Sequence, residues 1–136
     1  MDVPRNEPAF IVDSLPQARA AADIFPYDRL TLVSPPKAAA YSGPRFFIEL
    51  LRKIAAENKN ITVTMWIDCD NDPGLALSAI RDGGKNIVMK GENAKSIDEI
   101  AQNAGVTLSA FSPRAIDCVS TGDIVGAYAT WLDEKK

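Results

Sequence analysis

Short apolar runs recur along the chain, and after each one the hydrophobic residues switch to helical spacing. "AFIV" (9–12), "LTLV" (30–33), "ITVTMWI" (61–67), "NIVM" (86–89) and "VTLSAF" (106–111) have the length and residue types of strands. After the first run, Ser14 and Gln17 have the spacing of a capping box and start a helix. After the second, Phe46, Phe47, Leu50, Leu51 and Ile54 predict a helix from about Pro44. After the third, Asp72 is the expected N-cap, Pro73 the first helical residue, and Gly83-Gly84 the stop. The fourth run turns at Gly91 towards a helix whose start carries Ser96 and Glu99, a second capping box. A last helix over 122–134 has Ile124, Val125, Tyr128, Trp131 and Leu132 on one side. No element is assigned to "SPRAIDCVST" (112–121).

Five strand-helix repeats with such short connections imply an α/β domain, 1–136, with five parallel strands and right-handed crossovers. The preferred architecture is an open doubly wound sheet of the flavodoxin or Rossmann kind, with helices on both faces. The alternative is a partial (β/α) barrel with helices on one face only. A complete barrel typically needs about 250 residues, so length argues against one. Thr31, Thr62, Thr64, Thr107 and Ser109 keep the alternative in play, because they oppose the large aliphatics of their strands. Parallel strands covered on both faces are usually apolar throughout.

Composition narrows the function classes more than it names one. With 46% hydrophobic and 24% charged residues, the 136-residue chain is an ordinary globular domain. A net charge of -3, with Lys and Arg scattered among acids, argues against nucleic acid or an anionic membrane as partner. No apolar run reaches the roughly 18 residues that span a bilayer. "MDVPRNEPAF" lacks the basic and apolar regions of an export signal, so a cytoplasmic location is expected. Cys69 and Cys118 are then free thiols, and buried small hydrophobes rather than nucleophiles. The absence of histidine rules out a His general base, a Ser-His-Asp triad and His-ligated zinc. Trp66 and Trp131 read as packing residues, with Trp131 also a candidate contact in a homodimer.

In either architecture ligands gather at the carboxyl ends of the strands. Residues at those ends are Asp13 and Ser14, then Ser34 and Lys37, then Asp68, Asp70 and Asp72. Lys90, Glu92 and Asn93 follow the fourth strand, and Ser112 and Arg114 the fifth. Carboxylates at alternate positions of "DCDND" are candidate Mg²⁺ ligands. However, Pro73 and Ala79 stand where a calcium-binding EF-hand needs Gly and Glu. The expected reading is therefore that Asp72 caps a helix, Asp70 is solvated and Asp68 faces a pocket, with no bound metal or cofactor. Lys90 is either a Schiff-base candidate or a surface lysine lying over the strand end. Lys37, Arg45 and Arg114 are candidates to cradle a phosphate, although neither common Gly-rich nucleotide loop is present.

The 31 residues "ITVTMWIDCDNDPGLALSAIRDGGKNIVMKG" (61–91) resemble a strand-helix-strand unit of class II fructose-bisphosphate aldolases. The shared positions are Asp68, Ala79, Ile80, Gly83, Val88, Met89 and Gly91. The resemblance implies an acid at the mouth of a (β/α) unit, with Asp68 as proton donor. The zinc-binding His of that family is Cys69 here, so the metal site does not carry over. Asp68 and Asp70 also resemble, slightly, the Asp-x-Asp of haloacid dehalogenase phosphatases, which lies on the first strand there and on the third here.

The expectation that follows is a small-molecule-binding or regulatory domain without catalysis, taking a small anionic or carbonyl metabolite. The alternatives are a lyase or aldolase-type enzyme using Asp68 and Lys90, and a structural module completed by dimerisation.

Overall fold

The computed structural model describes residues 8–134, and residues 1–7, which carry most of the expected lack of an export signal, lie outside them. Six strands alternate with helices: β1 (Ala9–Ile11), α1 (Leu15–Ile24), β2 (Arg29–Val33), α2 (Ala38–Ser42), α3 (Pro44–Glu57) and β3 (Thr62–Asp68). Then follow α4 (Pro73–Arg81), β4 (Asn86–Val88), α5 (Ala94–Asn103), β5 (Thr107–Ser109), β6 (Ala115–Asp117) and α6 (Ile124–Glu134). All strands pair in parallel in one open sheet of order β5-β4-β3-β2-β1-β6.

The sixth strand is an addition to the five expected. "AID" is too short to announce itself, and it becomes a strand because the edge of β1 is free to accept it. Ala9 N–H donates to Arg114 O at 2.8 Å and Cys118 N–H to Ile11 O at 3.0 Å.

Strand alternation sorts the side chains into two unlike faces. Phe10, Leu30, Leu32, Met65, Ile67, Ile87 and Ile116 pack with residues of all six helices in one large core. Their neighbours Ala9, Val33, Trp66 and Val88, with Ile11 and Ala115, form a small second cluster that contains no helix residue. The sheet is thus open, and its helices lie on one side. Thr31, Thr64, Thr107 and Ser109 share the helix-free face with Trp66: Thr31 and Thr64 stand two residues from Val33 and Trp66, Ser109 pairs with Val88, and Thr107 pairs with Asn86, two residues before Val88.

That face is concave, and chain length requires it. Six Cα steps from Ser109 to Ala115 span at most about 22 Å, but β5 and β6 in a flat sheet would lie about 24 Å apart. Register adds a further drop, because Ala115 is level with Thr64 whereas Ser109 is level with Asp68. Only a sheet curled towards its helix-free side lets residues 110–114 join its two edges. The segment crosses above β3, where Ser112 meets Asp68.

Local signals settle most helix ends. Ser14 Oγ accepts from Gln17 N–H, although Gln17 Oε1 accepts from Asp13 N–H rather than from Ser14. Helix α4 ends in a Schellman motif: Gly83 N–H donates to Ile80 O, Gly84 N–H to Ala79 O, and Gly83 has φ 104°. Gly43, at φ 86°, separates the unforeseen α2 from α3. The expected Ser96–Glu99 capping box is not formed. Helix α5 already begins at Ala94, and Ser96 Oγ donates to Asn93 O from inside the first turn. In α6 Trp131 is buried and Ile124 and Tyr128 are partly buried against the core, whereas Val125 and Leu132 face outward. Trp131 is buried beneath the Arg114 guanidinium, which lies 5.0 Å from its ring centre, and is 8% exposed. No helix of the described residues is long and apolar enough to cross a membrane.

Candidate functional site

Asp68 ends β3 with its side chain on the helix-free face, and it is 1% exposed. A carboxylate taken out of water needs partners for both oxygens, and each oxygen has them. Oδ1 accepts from Asp70 N–H at 2.8 Å. Oδ2 accepts from Ser112 Oγ at 3.0 Å and lies 3.4 Å from Lys90 Nζ. Behind it, Ser34 Oγ accepts from Asp68 N–H at 2.9 Å, and Ser34 is itself buried. Four of the residues expected at the site, Ser34, Asp68, Lys90 and Ser112, therefore converge from the ends of β2, β3, β4 and β5.

The loop after β3 is shaped by the same carboxylate. Asp70 turns left-handed at φ 52°, a conformation that Asp tolerates better than most residues. Its carbonyl accepts from Lys90 N–H, and Asn93 Nδ2 donates to Asn71 O at 2.8 Å. The loops that follow β3 and β4 are thereby joined, which positions Lys90 over Asp68.

The other expected positions separate from this group. Ser14 caps α1, and Asp13 is exposed, its N–H held by Gln17. Lys37 is exposed and heads α2 in a left-handed conformation. Arg45 pairs with Asp82 at 3.8 Å, and Arg114 covers Trp131. The three cations named for a phosphate cradle are thus committed to different places.

The three aspartates likewise divide rather than cluster. Asp72 Oδ1 accepts from Leu75 N–H at 3.1 Å and caps α4, as the Asp-Pro start signal predicts. No group of three His, Cys, Asp or Glu side chains able to hold a metal ion occurs among the described residues. Cys69 and Cys118 are both buried and unpaired. Burial pushes the Cys69 thiol up to about 12, with Asp68 and Asp72 adding to the effect. Burial and then Asp117 raise Cys118 to about 11, so neither is a thiolate at neutral pH.

Trp66, read from sequence as a packing residue, belongs to this region as well. Its alternation with Asp68 along β3 is the signal that places both on one face. No protein family, curated protein or solved structure matches the chain.

Proposed function

We propose that the chain is a non-catalytic binding or regulatory domain that takes a small anionic or carbonyl metabolite beside Asp68 and Lys90. One observation carries this reading: Lys90, its side chain 40% exposed, rests its ammonium on a buried carboxylate at the carboxyl edge of the sheet. Asp68 holds the cation in place from below, and the exposed side of the cation is offered to an anion or carbonyl oxygen. A rigid cation at a strand end is a binding group that costs little to organise.

The ion pair also weighs against the lyase or aldolase alternative. A Schiff-base lysine needs its nitrogen free to attack a carbonyl, and Lys90 Nζ is engaged 3.4 Å from Asp68 Oδ2. A cytoplasmic setting accords with two buried free thiols in one small chain.

The test is a thermal-shift screen of small acids and carbonyl compounds against the full chain and its Lys90→Gln variant, with borohydride reduction and intact mass alongside. A melting temperature raised in the parent only, without a reduced adduct, is the expected result. A covalent adduct on Lys90 would establish the enzyme reading instead.

A second reading, a two-fold dimer through the helix-free face, is favoured by Phe111, which is 80% exposed on the segment crossing that face. Sedimentation at micromolar concentration separates the two, since a monomer there removes the dimer.

A further inference from the structure

Trp66 Nε1 is a buried side-chain polar atom without any hydrogen-bond partner, the sole case found among the described residues. The residue is 6% exposed and stands two positions before Asp68 on β3, on the helix-free face. Native proteins seldom bury a donor unmet, so an acceptor from outside the chain is called for.

The surroundings say what kind of acceptor. Polar side chains of this face are mainly hydroxyls and amides, from Thr31, Thr64, Asn86, Thr107 and Ser109, with the Lys90 ammonium at the rim. Its carboxylates are already occupied: Asp68 as described, and Asp117 by Val119 N–H, Ser120 N–H and Ser120 Oγ. Hydroxyls and an amide both donate and accept, but the unmet Trp66 N–H and the part-exposed Lys90 cation are donors alone, and a ligand that meets both must carry oxygen at each end. Trp66 and Asp68, two apart on one strand face, stand about 7 Å from each other, and Lys90 Nζ lies 3.4 Å from Asp68 Oδ2, so a ligand that reaches from Trp66 to Lys90 is a short chain of a few carbons.

We propose that Trp66 and Lys90 bind the two ends of one short hydroxy- or oxo-carboxylic acid, seated on the helix-free face beneath residues 110–114. Its inner oxygen accepts from Trp66 Nε1–H, and its carboxylate meets Lys90 at the rim. Val33 and Val88, on the strands flanking β3, supply an apolar bed for the carbon chain. Residues 110–114 lift to admit it by releasing the Ser112–Asp68 hydrogen bond. The proposal rests on the binding reading above and adds to it a second anchor and a size.

The experiment follows the two indole N–H resonances of the ¹⁵N-labelled full chain during titration with malonate, malate, pyruvate and lactate. Trp66→Phe and Trp131→Phe assign the two signals, and each variant's melting curve checks its fold. Saturation with a bound acid is expected to move the Trp66 resonance downfield and leave that of Trp131 in place. Trp66→Phe should weaken the same acid at least tenfold. If an acid raises the melting temperature through Lys90 but leaves the Trp66 resonance unmoved, this inference fails and the binding reading stands. An unmoved resonance together with full affinity in Trp66→Phe would assign the N–H to an internal water and overturn it equally. If none of the acids binds, both fall.

Discussion

Ser112 Oγ lies 3.0 Å from Asp68 Oδ2, so one hydrogen bond ties the segment bridging the two sheet edges to the end of β3. Lys90 lies 3.4 Å from the same oxygen, and the two partners are very unequally exposed, 40% against 1%. Removing either therefore has unequal consequences.

Lys90→Met leaves a buried carboxylate without its counter-charge, whereas Asp68→Asn leaves a lysine that can turn to water. Urea unfolding should show a loss of about 2–3 kcal/mol for Lys90→Met and about 1 kcal/mol for Asp68→Asn. The double variant should be more stable than Lys90→Met alone. Equal losses in the two single variants would mean that the pair behaves as an ordinary surface salt bridge.

The aspartates after β3 should separate in the same measurement. Asp72→Ala loses the bond to Leu75 N–H and should cost about 1 kcal/mol, independent of millimolar Mg²⁺. Asp70 stands at φ 52°, so Asp70→Ala adds strain of about 1 kcal/mol, while Asp70→Gly should be near neutral. Protection by Mg²⁺ that disappears in Asp70→Ala would restore the metal reading.

Both thiols should resist a disulfide reagent in the native state and react only on unfolding. Their raised values also set a pH dependence. In the folded chain Cys69 and Cys118 hold their protons to about 12 and about 11, from an ordinary value of 9.0. Above pH 9 the unfolded chain therefore binds fewer protons than the folded one, and stability declines as pH rises through 11 to 12. Cys69→Ala should flatten that decline. A melting temperature level from pH 8 to 11 in the parent would contradict it.

Glycines at two turns should respond differently to a methyl group. A Cβ on Gly84 would stand 3.0 Å from Ala79 O and 3.3 Å from Ile67 Cδ1, whereas one on Gly122 meets nothing within 4 Å. Gly84→Ala should lower stability by about 1–3 kcal/mol through overpacking, and Gly122→Ala should leave it unchanged or slightly raised. Parallel melting curves report the difference directly.

What could be read from sequence is what neighbouring residues decide among themselves. The cap at Asp72, the stop at Gly83-Gly84 and the alternation of β3 depend on contacts within a few residues. So does the division of β3 into an aliphatic face and a face carrying Thr64, Trp66 and Asp68. Tertiary structure decided the rest. Residues 115–117 are a strand because β1 has a free edge, and Ser96 misses its cap because the packed helix begins a turn earlier. Lys90 and Ser112 meet Asp68 from 22 and 44 residues away, brought there by the sheet's order and curl. A local rule describes the energy of a few adjacent groups. Which carboxylate is buried, and what must then neutralise it, depends on the order in which distant strands pair, and no short stretch of chain contains that order.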